Sequence, residues 1–226
     1  MIAVIVAIAV LLVVTLPQLV VLTTIHRHAF DRPDLPGTGG ELARHLLDRF
    51  GLGHVKVEVT EKGDHYDPDA AAVRLLPQHH DARSISAVAI AAHEVSHAIQ
   101  HGNGERKLAL RQRLARVALY TDRIAGIFFL AAPILTVIVR SPAALAGAVG
   151  IGVALLSVRV LVSLVTLPVE TDASFAKALP ILEEGRYLPE DDMPAARSVL
   201  RAAAFTYVAG ALISLINLAR WIRLLR

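Results

Sequence analysis

His93, Glu94 and His97 are the residues whose types and spacing could carry out a reaction, because they form the pattern His-Glu-x-x-His. They lie in an alanine-rich, mostly apolar stretch that predicts a helix. Residues four apart share one helix face, so the two imidazoles can bind one metal ion with the carboxylate beside them. The pattern therefore predicts a zinc-dependent peptidase with one catalytic zinc ion.

Hydrolysis at such a site needs a base and a third metal ligand. A catalytic zinc ion has three protein ligands and keeps one position for water, whose pKa it lowers toward 7. Glu94 follows a ligand directly and is therefore turned by about 100° around the helix. From there it can take a proton from the water without binding the metal, so we expect Glu94 to be the general base.

Candidates for the third ligand near the motif are weak. His101 shares the helix but lies roughly 12 Å along its axis from His93, too far for one ion. The class in which a third His follows a Gly turn requires Gly and His where this chain has Gln100 and Asn103. Glu105 stays open, although a glutamate just past a helix end is more often solvated.

Glu170 is the stronger candidate, because it follows directly on a long apolar stretch. A carboxylate so close to a bilayer needs a functional or structural reason. Ser174, one helical turn later, could hydrogen-bond a ligating group. The sequence therefore makes Glu170 the better candidate for the third zinc ligand, and Ser174 a candidate to support the site.

The composition indicates an integral membrane protein. The chain of 226 residues is 54% hydrophobic with a mean hydropathy of +0.53, and its apolar residues form long blocks. It has no cysteine, so any metal must be held by His, Asp or Glu. The net charge of +3 is small and the arginines do not alternate with aromatics, so nucleic acid is not expected as a partner.

Hydropathy predicts four spans of the lipid bilayer, at about residues 2–24, 117–139, 142–167 and 200–218. The expected fold class is a multi-span α-helical membrane protein with a small α+β zincin-like catalytic insert. The predicted domains are a transmembrane anchor (1–25), a zinc-binding catalytic insert (26–116), a transmembrane hairpin (117–167), a membrane-proximal segment supplying the third ligand (168–199) and a transmembrane helix with a basic C-terminus (200–226).

Four crossings would put both polar segments on one side of the membrane, where they could build one site. The excess of Lys and Arg flanking the spans on that side predicts that it is cytoplasmic, in a bacterial cell membrane. The basic C-terminus argues for the opposite orientation.

Within the insert, the sequence predicts a helix over 41–50, strands over 54–59 and 72–76, and the motif helix over 87–101, capped by Ser84 or Ser86. Val73, Arg74 and Leu75 are predicted to form an edge strand beside the motif helix. Such a strand binds substrate backbone by strand addition.

Other polar residues have two interpretations each. Residues 64–68 form an Asx-rich turn or bring His65 or Tyr66 to the oxyanion of the tetrahedral intermediate. Tyr207 is an interfacial aromatic anchor or an oxyanion donor. His79 and the next histidine form a solvated loop or an accessory metal site.

At these positions the chain resembles the YugP-like membrane zinc metallopeptidases. The segments that carry the resemblance are 63–68, 73–75, 91–100, 167–174 and 202–210. The resemblance implies zinc ligands at His93, His97 and Glu170 with Glu94 catalytic, in the gluzincin scheme shared with HtpX-type membrane proteases. Ser96 departs from the Gly expected before the second histidine.

The predicted function is a membrane-embedded zinc metalloendopeptidase that hydrolyses peptide bonds of membrane or membrane-proximal proteins. One alternative is a catalytically silent scaffold that keeps zinc for structure. The presence of Glu94 argues against it, because a structural site needs no base. The other alternative is a transporter, whose spans should carry charged and His residues, whereas the predicted spans have almost none. The sequence makes no prediction of the oligomeric state.

Overall fold

The computed structural model describes residues 15–16, 18–139 and 141–204. The elements in chain order are helix α1 (Gly39–Arg49), strands β1 (Lys56–Val59), β2 (His65–Asp67) and β3 (Ala72–Leu75), helices α2 (Pro77–His80), α3 (Ile85–Gly102), α4 (Arg106–Val139) and α5 (Pro142–Thr171), a π-helix (Asp172–Ala178), helix α6 (Leu179–Glu184) and a 3-10 helix (Glu190–Asp192). Residues 18–27 and 193–204 are also helical. The described part is thus mostly helical with one small sheet.

Helix α3 carries the His-Glu-x-x-His pattern through the centre of the core. Ser84 caps it, because the Ser84 hydroxyl accepts a hydrogen bond from the Ala87 N–H at 3.1 Å. Every residue from Ile85 to Ala98 is buried, and the many alanines let neighbouring elements approach on all sides. The predicted motif helix and its Ser84 cap are confirmed.

Helix α1 packs closely against α2 and α3. Thr38 and Glu41 form a capping box, which starts the helix two residues before the predicted position. A Cβ at Gly39 would lie 2.1 Å from the His79 carbonyl oxygen, so only glycine allows this approach. Gly51, with φ of +72°, follows the end of α1, a position that favours glycine.

The three strands are ordered β1-β3-β2, with β1 parallel and β2 antiparallel to β3. The prediction that Val73, Arg74 and Leu75 form an edge strand is wrong. These residues lie in the central strand, and both sides of β3 are already paired, so no peptide can add there. Val73 and Leu75 face the core instead, and Arg74 pairs with Glu58 at 2.9 Å.

Helices α4 and α5 cover the second and third predicted spans and pack against each other. Among the described residues, one helical run, Ala146–Glu184, is long and apolar enough to cross a membrane, with a mean hydropathy of 2.3 in its most apolar window. The expectation of a multi-span membrane protein is therefore wrong.

Charged residues are part of the reason why helix α4 does not qualify as a membrane span. Helix α4 begins with a basic stretch and carries Asp122 and Arg123 at the start of the predicted second span, where burial in lipid is costly. Most of the first predicted span (residues 2–14 and 17) and most of the fourth (residues 205–218) lie outside the described residues. Without four crossings, the parity argument for a cytoplasmic site no longer applies.

The hydrophobic core lies between α1, α3, the sheet, α6 and the helical residues 193–204. Its largest fully buried apolar side chains include Leu46, Leu47, Leu75, Val95, Leu182, Val199 and Leu200. Residues that precede helices α4 and α5 in the sequence and residues that follow them thus contribute to one core. This packing holds α3 against the segment that follows α5.

Candidate metal centre

His93, His97 and Glu170 come together on one face of helix α3. All three are buried, and their potential ligand atoms lie within 4.8 Å of one another. The two imidazole rings meet edge to face with centroids 4.8 Å apart, as the four-residue spacing on a helix requires. Glu170 comes from the last turn of α5, so the site joins two distant parts of the chain.

One carboxylate oxygen faces both imidazoles. Glu170 Oε2 lies 3.2 Å from His93 Nε2 and 3.3 Å from His97 Nε2. Two ligand atoms bound to one tetrahedral zinc ion, each with a bond of about 2.0–2.1 Å, are separated by about 3.3–3.4 Å. These two separations therefore fit a shared zinc ion, and a set of two nitrogens and one oxygen suits that metal.

The far nitrogen of each imidazole is held by a neighbouring side chain. His97 Nδ1 lies 2.9 Å from Gln100 Oε1, and His93 Nδ1 lies 3.1 Å from Ser174 Oγ. When Nδ1 donates to such a partner, the Nε2 lone pair is free to bind a metal. Two such lone pairs and the Glu170 carboxylate would repel one another without a cation, so this arrangement also fits a metal ion.

The second oxygen of Glu170 faces a positive charge. Arg111 Nη2, from helix α4, lies 3.0 Å from Glu170 Oε1. Their orientation makes this an ion pair without a hydrogen bond, and Oε1 has no hydrogen-bond partner among the described residues. Because Arg111 faces Oε1, the other oxygen is the one directed at the histidines.

A π-helix follows Glu170 and shapes this side of the site. The Leu179 N–H donates to the Ser174 carbonyl five residues earlier, the spacing of a π-helix. Such widened turns occur often at functional sites. Val169, Glu170, Ala173 and Ser174 are all buried here. The segment thus presents both the Glu170 carboxylate and the Ser174 hydroxyl to α3.

Glu94 lies beside the ligands and has an altered acidity. Burial raises the pKa of its carboxyl to about 7, His93 lowers the pKa, and the Glu170 carboxylate raises it. Only 7% of Glu94 is exposed. A carboxyl with this pKa can both accept and release a proton near neutral pH.

The other predicted site residues lie elsewhere. His101 Nδ1 is 2.8 Å from the Tyr66 hydroxyl, and Glu105 pairs with Lys177 at 3.0 Å. His65 Nδ1 lies 2.8 Å from the Gly63 carbonyl oxygen, and no hydrogen bond or ion pair among the described residues links His65 to the three converging side chains. Tyr207 lies outside the described residues.

Three residues near the site carry roles that the sequence did not reveal. Gln100 contacts His97 and also bonds to the distant Val169 and Asp172, and Arg111 contacts the distant Glu170. His79, for which the sequence indicates a solvated loop or an accessory metal site, is buried with its Nδ1 2.8 Å from Asp64 Oδ2, so the solvated-loop interpretation is wrong. The position of Gln100, three residues after His97 on the same helix, was the one available signal.

Comparison with known proteins bears on this site. The model of a family described as "Putative neutral zinc metallopeptidase" matches residues 3–226. The chain belongs to this family. A curated relative, "Putative membrane protease YugP" of Bacillus subtilis strain 168, is 38% identical over 187 residues, which cover 82% of this chain and 79% of the relative. No solved structure matches the chain significantly.

Membership in this zinc metallopeptidase family confirms the resemblance found in the sequence. It implies zinc as the metal and proteins or peptides as substrates. The cluster of His93, His97 and Glu170 could hold such an ion. Family membership therefore indicates the metal and the class of reaction, and the structure indicates which residues could bind that metal.

Proposed function

We propose that this protein is a zinc-dependent endopeptidase of the gluzincin type, with one zinc ion held by His93, His97 and Glu170. Glu94 is its general base. The observation that carries this proposal is the convergence of the Glu170 Oε2 atom on both Nε2 atoms at 3.2 and 3.3 Å. Family membership supports the zinc and the peptidase reaction.

The chain's own groups divide the work of hydrolysis. Zinc, when bound, supplies Lewis acidity that polarises a carbonyl and makes a water molecule nucleophilic near neutral pH. Glu94 takes the proton of the attacking water and then delivers it to the nitrogen of the leaving amine. His65 and Tyr207 are proposed oxyanion donors.

Substrate binding is proposed at strand β2. An extended peptide can pair with an edge strand through main-chain hydrogen bonds, which need no particular side chains. Strand β2 is an edge of the described sheet, and Tyr66 within it contacts the motif helix through His101. Its outer side is therefore the proposed position of the substrate backbone.

Substrates are proposed to be membrane or membrane-proximal proteins. The relative from Bacillus subtilis is named a membrane protease, and the helical run Ala146–Glu184 contains a stretch apolar enough to cross a bilayer. Glu170 belongs to the same run, so the metal centre is close in sequence to that stretch. We expect the protein to sediment with membranes and to resist extraction by carbonate; recovery in the soluble fraction would oppose this part of the proposal.

The central test compares wild type with Glu94→Gln. Zinc content is measured by elemental analysis, and cleavage is measured on casein and on peptides with blocked termini. We expect the variant to keep its zinc and to lose cleavage by about 10²–10⁴-fold, because general base catalysis contributes that much. The variant should fold well, since burial disfavours the charged form of Glu94 that Gln removes.

Glu61→Gln, at an exposed glutamate, is the matched control and should cleave like wild type. Internal cleavage of blocked peptides would establish an endopeptidase. Full activity of Glu94→Gln, or a wild type without zinc, would overturn the proposed function. Zinc in both proteins with cleavage in neither would favour a catalytically silent zinc scaffold.

A further inference from the structure

Gln100 connects His97 to the segment that carries Glu170. Its Oε1 lies 2.9 Å from His97 Nδ1, and its Nε2 lies 3.1 Å from the Val169 carbonyl oxygen and 2.7 Å from Asp172 Oδ2. Only 1% of Gln100 is exposed, so water cannot readily replace these partners. One buried amide thus contacts His97 and two residues on either side of Glu170 in sequence, Val169 and Asp172.

The orientation of this amide is determined by its partners. The Val169 carbonyl and the Asp172 carboxylate accept hydrogen bonds and cannot donate them. The Gln100 amino group must therefore face them, which directs Oε1 toward His97. Lys177 also donates to Asp172 Oδ2 and pairs with Glu105, so Asp172 has a fixed position beside the Gln100 amino group.

An oxygen in this position determines the state of His97. A carbonyl oxygen only accepts, so a neutral His97 ring keeps this hydrogen bond to Gln100 only when its hydrogen is on Nδ1. The Nε2 lone pair then points toward Glu170 Oε2 at 3.3 Å, where a zinc ion would bind. His93 differs, because the Ser174 hydroxyl can either donate to Nδ1 or accept from it.

We propose that Gln100 is a positioning residue that holds His97 as the Nδ1–H tautomer, and that it does so only while residues 169–172 are packed against helix α3. This inference rests on the proposed zinc site. It implies that His97 becomes ready for zinc in the same step that brings Glu170 to the site. The two halves of the metal centre are then assembled together.

Zinc affinity of the full chain provides the first test. Zinc-stripped wild type and Gln100→Met, which keeps the side-chain length but removes both polar groups, are titrated with zinc against a chelating dye. We expect the variant to bind zinc about 10–100-fold more weakly, the usual loss when the partner of a metal-binding histidine is removed. Affinity within twofold of wild type would overturn the proposal.

Ser96→Ala is the matched control. Ser96 is fully buried on the same helix, and its hydroxyl donates to the Ala92 carbonyl, with no hydrogen bond to either histidine. It should bind zinc within about twofold of wild type. If Ser96→Ala loses as much affinity as Gln100→Met, the effect is general damage to α3 and the proposal fails.

The tautomer itself provides a test that needs no variant to fold. In zinc-free wild type labelled with ¹⁵N-histidine, at a pH where the ring is neutral, NMR correlations should show His97 with its hydrogen on Nδ1. An Nε2–H tautomer would overturn the inference. A wild type that shows the expected tautomer but binds no zinc would instead refute the proposed function.

Discussion

The motif helix and the Glu170 segment reach the metal site by different physical routes. Helix α3 places His93 and His97 through its own four-residue spacing, starting from a local Ser84 cap. Glu170 lies 73 residues from His97 in sequence and meets it because the π-helix that follows Glu170 packs against α3. One side of the site is thus specified locally, and the other depends on tertiary contacts.

The two sides also differ in how the proposed ligands are held in place. On α3, the two proposed histidine ligands and Gln100 belong to one helix. On the other side, Glu170 pairs with Arg111 from helix α4, and Gln100 bonds to Val169 and Asp172 on either side of it. Changes on the Glu170 side should therefore show which contacts bring the carboxylate to the histidines.

The largest effect is expected from Glu170→Gln. The substitution preserves size but removes the charged oxygen that faces both imidazoles. Removing a ligand should cost more than the about 10–100-fold loss caused by removing a supporting contact. We therefore expect zinc affinity to fall by more than about 100-fold and peptide cleavage to disappear, measured by dye competition and by a casein assay.

Glu105→Gln is the comparison for that experiment, because Glu105 is the other glutamate considered as a third ligand. It pairs with Lys177 at 3.0 Å, outside the converging set, so we expect it to keep zinc far better than Glu170→Gln. Release of zinc by the Glu105 variant, with zinc retained by the Glu170 variant, would mean that the site is completed from the end of the motif helix.

Arg111→Met should have an intermediate effect, which is a loss of stability that depends on whether zinc is bound. Glu170 is fully buried, and without Arg111 its charge has one fewer positive neighbour. We expect the free energy of unfolding of zinc-free protein to fall by about 1–3 kcal/mol, because breaking a buried ion pair leaves a charge uncompensated. Zinc should restore most of this loss, since the metal also neutralises Glu170.

Urea unfolding with and without zinc measures this difference. Arg113→Met is the control, because Arg113 is an exposed arginine on the same helix and should change stability little. An equal loss for Arg111→Met in both conditions would mean that Arg111 supports the helix packing in general and has no particular role at Glu170.

The same contrast explains what the sequence could predict. The motif helix, its Ser84 cap and helix α1 follow from local patterns, and all three are present. The position of β3 in the middle of the sheet depends on which strands pair, and alternation within one strand carries no such information. The edge-strand prediction failed for this reason.

Hydropathy had a similar weakness at the membrane. A window of apolar residues indicates burial, but it does not separate a span from a long helix that also packs against protein and carries charges such as Asp122. Gln100 and Arg111 were missed because their roles exist only once distant segments meet. Glu170, in contrast, was singled out by an unusual local feature, a carboxylate directly after an apolar stretch.

The smallest effect is expected from Ser174→Ala, which removes the partner of His93 Nδ1 at 3.1 Å. A hydroxyl can donate or accept, so it restricts the histidine tautomer less than the Gln100 oxygen does. We expect a loss of zinc affinity of about tenfold, the low end for such contacts and less than for Gln100→Met. Ser157→Ala, at a serine of the same helical run whose hydroxyl donates to the Val153 carbonyl, should bind zinc like wild type. If Ser174→Ala loses as much zinc affinity as Gln100→Met in the same dye titration, the two histidines are held equally firmly. That result would contradict a special coupling of His97 to the Glu170 segment.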